Sequence, residues 1–454
     1  MSMRVGLVTL GCDKNTVDNE YLAGQLEAEG CEVVVVQDDD SPRMDAVVIT
    51  TCGFIGDAKQ QSVDAIVEWT ERKAESDGPK RVFVAGCLAQ RYAAELMKEI
   101  PEIDGIVGVG QFQRLTRMIL ESDAPKNGVE RVPTVAIYPF MQRRRLDSKP
   151  HTFLKISDGC NHACTFCSIP LMKGKHRSVA PGILQEEVRS LVAQGVREFN
   201  LVAQDLADYG RDLGKGYRLP ELLRDVCAVD GDFWVRCLYV YPGGVTDAFL
   251  DVVSTERKIA PYLDMPLQHL DPDVLKRMKR PYRETNTAAL VHKMRDAIPG
   301  LALRTTMIVG FPGESDGAHQ RMLDELAALR FNWLGSFQYS QEDDTPAGQA
   351  EDQVNDRMKE QRWRAVMELQ AGITAEYTRA RVGTRTRVLI EEFDEDQGRY
   401  VGRSNTEAPE VDGCVYVQSD TPLTVGQFVD IEIIEADVYD VTGRVAAVPA
   451  AAIP

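Results

Sequence analysis

From Arg4 to about Leu120 the chain alternates short apolar runs with amphipathic stretches. VGLVTL, AVVIT and VFVAG read as strands, whereas TVDNEYLAGQLEAEG, QSVDAIVEWTERK and LAQRYAAELMKEI space their apolar residues as helices do. Strands alternating with helices predict a parallel sheet covered on both faces. Residues 123–150 interrupt the pattern with Pro125, Pro133, Pro139 and Pro150 and the basic run Arg143, Arg144, Arg145, as a linker does. A second series follows, with the strand candidates TFLKIS, EFNLVAQD, FWVRCLYV, YLDMPLQH, LRTTMIVGF and LGSFQYS separated by helix-length patterns. These units are too few to close an eight-fold barrel and predict a laterally open, partial (β/α)6 barrel with its chemistry at the C-terminal strand ends. A helical pattern from Gln353 to Arg381 then leads into TRVLIEEF, RYVGRS, VYVQS and QFVDIEIIEA, the short strands of a small OB-like β-barrel. The chain is therefore expected to be α/β, with an N-terminal domain over 1–122, a linker over 123–150, a partial barrel over 151–379 and a small β-barrel over 380–448. No internal repeat or low-complexity tract is visible.

A length of 454 residues suits several cores rather than one, and 44% hydrophobic with 27% charged residues is an ordinary globular composition. The opening MSMRVGLVTLGC lacks a basic region followed by an apolar one and a cleavage site, and no stretch approaches the roughly 20 apolar residues of a membrane span. A cytoplasmic protein with no membrane partner is expected. In that setting ten cysteines are better read as thiolates for metal binding or chemistry than as disulfides. A net charge of −18 argues against general affinity for nucleic acid or anionic lipid and suits a basic protein partner, although an acidic surface also serves solubility alone.

The positions of the cysteines carry the chemistry. Cys160, Cys164 and Cys167 lie in LKISDGCNHACTFCSIP, a loop directly after the first barrel strand. Closely spaced thiolates can hold adjacent corners of one 4Fe-4S cube, and three of them leave one iron free to take the amino and carboxylate groups of a substrate molecule. Zinc would require four ligands, and no second pair lies nearby; His162, inside the loop, is not expected to be a fourth. Cys12, Cys52 and Cys87 each stand immediately beyond a predicted strand, along the edge where open parallel sheets bind ligands. Three merely buried small hydrophobes would have no reason to share that placement. A second three-cysteine cluster would again have an open iron, where a sulfur could be held for insertion into a substrate. Cys31, Cys227, Cys237 and Cys414 have no such partners and are expected to be structural.

The CxxxCxxC loop, with Phe166 before its last cysteine, resembles the radical S-adenosylmethionine (SAM) superfamily, which implies reductive cleavage of SAM to a 5′-deoxyadenosyl radical. Over its whole length the chain resembles the methylthiotransferases: a flavodoxin-like N-terminal domain with GC, TCGF and GC cysteines, a radical SAM barrel and a C-terminal TRAM domain. The resemblance implies two 4Fe-4S clusters, the radical one on Cys160, Cys164 and Cys167 and an auxiliary one on Cys12, Cys52 and Cys87. It also implies two SAM per turnover, as methyl donor and radical source, with a sulfur source and an electron donor such as flavodoxin or ferredoxin. No catalytic residue beyond the cluster ligands is expected, because hydrogen abstraction by a carbon radical needs no general base.

Two branches of this family compete. One modifies adenosine in tRNA; the other modifies the β-carbon of an aspartate in the twelfth protein of the ribosomal small subunit, met free or on the subunit. From Ala380 onward there are six arginines and no lysine against fourteen carboxylates, a balance of −8 that would repel RNA and attract a basic ribosomal protein. GCDKNTVDNE, CNHACTFCSIPLMKGKHRS, MPLQH, MKRPY and EADVYDVTGRV are also similar to the ribosomal-protein branch. Departures are Thr51, where the family usually has Asn, and QEDDTPAG after Ser340. A non-catalytic electron-transfer protein is the remaining alternative, but such carriers normally ligate their clusters fully. Ile308–Glu314, IVGFPGE, resembles a SAM-contacting motif and marks Gly310 and Glu314, though it is also simple Gly-Pro turn chemistry. Gln204 and Asp205, Gln268 and His269, and Arg304 sit at predicted strand ends, where they could hold SAM or the aspartate. Arg304 offers a two-pronged match to a carboxylate; its other role would be an interstrand ion pair.

Overall fold

The computed structural model describes residues 2–36, 43–121, 126–129, 143–214, 216–280 and 286–446. Pro125, Pro133 and Pro139 of the expected linker, and Pro281 and Tyr282 of MKRPY, lie outside them. Among these residues β1 (Arg4–Thr9), β2 (Glu32–Val35), β3 (Ala46–Thr51), β4 (Arg81–Gly86) and β5 (Gly105–Ile106) form a parallel sheet in the order β2-β1-β3-β4-β5. This is the flavodoxin-like order, with its topological switch between β1 and β3. Helices α1 (Asp13–Ala28), α2 (Gly56–Arg72), α3 (Cys87–Glu99) and α4 (Phe112–Leu120) cover it. All of β3 is buried, which is why AVVITT is a near-continuous apolar run rather than an alternating one.

The second sheet takes β6 (His151–Lys155), then, beyond the antiparallel pair β7 (Ser157–Asp158) and β8 (Arg177–Ser178), β9 (Glu198–Val202), β10 (Trp234–Cys237), β11 (Ile259–Asp264), β12 (Ala302–Val309) and β13 (Trp333–Gln338). Each lies parallel beside the next, as right-handed strand–helix units require. Leu154, Phe199, Leu201, Val235, Cys237 and Leu303 face outward into one core with the surrounding helices, including α6 (Pro181–Ala193), α7 (Leu219–Cys227) and α8 (Asp247–Thr255). The alternate residues His151, Glu198, Arg236, Tyr262 and Arg304 face inward, where the structure had to find polar partners for them.

Those partners come from the far end of the chain. After α9 (Pro272–Arg277), α10 (Thr287–Ala297), α11 (Asp316–Leu329) and α12 (Asp356–Ala380), the strands β14 (Arg385–Asp394), β15 (Arg399–Ser404), β16 (Val415–Gln418), β17 (Phe428–Ala436) and β18 (Val441–Val445) close into a barrel. The connection from β15 to β16 reaches into the central barrel from below. Arg236, fully buried, bonds Glu198 (2.8 Å) and the Asn405 carbonyl (2.9 Å). Arg403 reaches Glu198 at 2.7 Å and Glu391 at 2.6 Å, and His151 Nδ1 lies 2.6 Å from Glu391. Tyr262 donates to Asp412 at 2.6 Å, and the Trp333 indole to the Thr406 carbonyl at 2.7 Å. His151, Glu198 and Trp333 are the first residues of their strands, and none of these contacts uses the last residue of a strand, which leaves the C-terminal ends for the site. Arg143 of the basic run is not a solvated linker residue: its side chain, 4% exposed, bonds Glu20 of α1 and Glu187 of α6 and pins the N-terminal domain to the barrel.

Candidate active site

The sheet switch point sets the first cysteine trio. Leu10 N–H bonds the Thr50 carbonyl (3.0 Å), so the chain leaves β1 and β3 side by side, and a β-carbon on Gly11 would lie only 3.4 Å from Cys52 Sγ. Thr51 pairs with Gly86 in register, which makes Cys52 and Cys87 the next residues on adjacent strands. Gly86 turns at φ +100°, where a β-carbon would meet the Thr51 carbonyl at 2.7 Å; only glycine fits before Cys87. Cys12 is the N-cap of α1 and Cys87 the first residue of α3, while Ser62 fastens the Cys52 turn through its N–H (3.0 Å) and carbonyl (3.1 Å). Thr51, the unusual residue here, donates to the Ala85 carbonyl at 2.7 Å and ties β3 to β4. The three thiols interact electrostatically with one another, and burial raises that of Cys52 and pushes Cys87 up to about 12.

The second trio sits in the loop after β7. Cys160 N–H bonds the Gly174 carbonyl and Cys167 N–H the Cys164 carbonyl, each at 3.1 Å. Thr165 joins the loop to Met278 and Ala347. These thiols also interact mutually; burial pushes Cys160 up to about 11 and Cys167 to about 12. His162 stacks on Tyr241 with ring centres 3.8 Å apart and gives its Nε2 to Asp205 at 2.7 Å, so it is engaged elsewhere than as a fourth ligand. On the other side Arg280 lies over the Tyr241 ring and points a nitrogen at Cys164 Sγ, 3.8 Å away.

The two trios face each other across α5 (Ile169–Lys173), which begins just after Cys167 and packs Ile169 and Met172 against Cys87 and Val109. Along the same seam Lys14 rests 3.4 Å over the Tyr239 ring, and Tyr239 donates to Asp13 at 3.2 Å. Tyr239 holds φ +60°, a strained conformation for an aromatic residue at the end of β10.

Of the weaker candidates, Gln204 stands at the mouth. Its side chain bonds Asp158, and its Oε1 has no hydrogen-bond partner among the described residues, as a ligand contact would leave it. Asp205 instead caps the turn at Ala207 and holds His162. Gln268 is in backbone pairing with β12, and His269, fully buried, accepts from Asp271 N–H at 2.9 Å. Glu314 lies inside the turn. Only 4% exposed, it accepts the Gly310 and Phe311 amides through one carboxylate oxygen and so shapes the turn, and it lies among His269, His319 and Arg362. A β-carbon on Gly310 would strike Lys359 of α12 at 2.3 Å. Arg304 is not at a strand end: it is the third residue of β12, paired with Asp264 (3.5 Å) and Asp412 (3.3 Å) over the inserted connection. Its interstrand ion pair is therefore what the fold uses.

Family models agree with this layout: the uncharacterized protein family UPF0004 matches residues 4–108, the radical SAM superfamily 154–326 and the TRAM domain 382–446. The protein named ribosomal protein uS12 methylthiotransferase RimO in Geotalea uraniireducens (strain Rf4) is 40% identical, with 97% of this chain and 98% of that one aligned. Its namesake in Desulfitobacterium hafniense (strain Y51) is 41% identical over 98% and 99%. The chain belongs to the RimO family. Among solved structures, the radical SAM methyltransferase TsrM from Kitasatospora setae shares the fold, with a TM-score of 0.57, 17% identity and 77% of each chain covered.

Membership of the RimO family and the radical SAM superfamily makes the chain a methylthiotransferase that uses SAM and a 4Fe-4S cluster. The donor sets suit such clusters. All six cysteines are free, and each trio offers three soft sulfurs with no competing disulfide. The sequence reading passed over Lys14, Tyr239, Arg280, Lys155 and Lys173. Only KGK, charged residues closing a short apolar helix after CSIP, gave a visible signal.

Proposed function

We infer that this enzyme places a methylthio group on the β-carbon of an aspartate in ribosomal protein uS12; the name of its relatives makes uS12 their substrate. The observation that carries the reading is the meeting of two three-cysteine sites across one short helix, at the C-terminal ends of both sheets. When bound, a cluster on Cys160, Cys164 and Cys167 supplies the electron that cleaves SAM, and a second on Cys12, Cys52 and Cys87 supplies the place for the sulfur.

The chain's own residues do the rest. Gln204 offers its free carbonyl to a ligand at the mouth, and Tyr241 with Arg280 walls the loop beside Cys164. The inserted connection at Ser404–Asp412 fills the barrel from below, so that a reactive carbon centre above it is kept from water. Nine of the fourteen carboxylates in the C-terminal barrel are exposed, whereas Arg381 and Arg403 are spent in pairs with Glu407 and with Glu198 and Glu391. That surface draws a basic protein. RNA, whose phosphates need cations, is disfavoured by it.

Mass spectrometry of uS12 from cells with and without the enzyme tests the substrate; a methylthio group on tRNA alone overturns the reading. Cys12→Ala or Cys52→Ala is expected to keep SAM cleavage and abolish sulfur insertion, with the iron and sulfide content of one cluster remaining. Transfer by such variants would defeat the auxiliary assignment.

A further inference from the structure

Between the trios lies a buried group of four charges. Lys155 closes β6, Asp158 ends β7, Lys173 ends α5 and Asp18 crosses the seam from α1; their side chains are 2%, 6%, 3% and 5% exposed. Lys155 bonds Asp18 and lies 3.5 Å from Asp158, while Lys173 lies 3.4 Å from Asp158 and 3.6 Å from Asp18. Cations and anions alternate, so each charge is met by opposite ones from two elements. Taking four ions out of water costs several kcal/mol apiece before pairing, and an apolar plug would hold a domain seam at least as well. Adhesion does not account for the arrangement.

Its placement does. Lys173 follows Met172, which packs against Cys87, and Lys173 interacts electrostatically with both Cys87 and Cys52. The carboxylates hold the ammonium on the side of the trio that faces the barrel. We propose that Lys173 is a positioning residue that presents a fixed positive charge to the Cys12–Cys52–Cys87 site and stabilises negative charge there, with Asp18, Lys155 and Asp158 clamping its ammonium. Negative charge arrives as an electron or as an anionic sulfur, and the same cation favours both. The proposal rests on the reading of this trio as cluster ligands.

The test isolates the auxiliary cluster in full-length protein carrying Cys160→Ala, Cys164→Ala and Cys167→Ala, and measures its midpoint potential by redox titration followed by electron paramagnetic resonance. Lys173→Met is expected to shift the potential to more negative values and Lys173→Arg to leave it near the parent's. The radical cluster, measured in a Cys12→Ala, Cys52→Ala and Cys87→Ala background, should not move with Lys173→Met. Asp158→Asn removes a negative charge that itself acts on Cys87, so it should shift the auxiliary potential to more positive values, and combining it with Lys173→Met should return the potential toward the parent's; a merely structural role gives no such compensation. If Lys173→Met alone does not retain the cluster, the double variant, which removes one charge of each sign, decides. An unchanged potential in Lys173→Met, or a double variant left at the potential of Asp158→Asn, overturns the proposal. No iron or sulfide in the parent lacking the barrel trio overturns the cluster reading itself, and the two failures are told apart by that analysis.

Discussion

Single residues in this protein hold charge where burial opposes it. Burial alone would raise the carboxyls of Glu391 and Glu314, but the hydrogen bond from His151 with Arg403 beside the first, and His269, His319 and Arg362 around the second, outweigh it and bring each down to about 2. A carboxyl whose folded value lies below its ordinary 4.5 adds stability above that pH, and the contribution is lost as pH falls from 4.5 toward about 2. Urea midpoints should therefore drop as pH is lowered through this window. Glu391→Gln should flatten the slope; an unchanged slope would mean that the pairing contributes nothing. Asp412 works in the opposite sense, since burial carries it up to about 6 against the pull of Arg304 and Tyr262.

At the scale of elements, most of the parallel strands were legible because fully buried strands appear as apolar runs bounded by turn residues, whereas β2, a four-residue edge strand, was passed over and the order of the strands came only from the structure. Cys12, Cys52 and Cys87 stood out for the same reason, each just past such a run, whereas Cys160, Cys164 and Cys167 stood out by their close spacing in one loop. Short pieces were not: β5 has two residues and α5 five, too few to show a period. Arg304 was misplaced because the sequence shows that a strand contains it, not how far along its polar partner lies, and that partner, Asp412, comes from 108 residues away. Nor could sequence show that α1 buries Lys14, Asp18 and Glu20 against partners outside its own domain, Tyr239, Lys155 and Arg143. The connection inserted into the central barrel has its own energetic signature. Arg236→Met removes the partner of Glu198 and the donor to the Ser404 and Asn405 carbonyls, a loss expected to cost about 3–5 kcal/mol in chemical denaturation. A cost below about 1 kcal/mol would show that Arg403 alone satisfies Glu198.

For the whole molecule, charge governs the encounter with the substrate. With a net charge of −18 and exposed carboxylates on the C-terminal barrel, capture of a basic protein should weaken as salt shortens the reach of the field to about 8 Å at physiological ionic strength. The KM for uS12 is expected to rise severalfold with salt while kcat stays nearly constant; a salt-independent KM would place recognition in apolar contacts instead. Among the described residues no helix is long and apolar enough to cross a membrane. The inserted connection also imposes an order on biosynthesis. Strands β6 to β13 are made before Ser404–Asp412, so the underside of the central chamber stays open to water throughout most of translation. The chamber is closed from below only once residues 404–412 have been made and folded back into it.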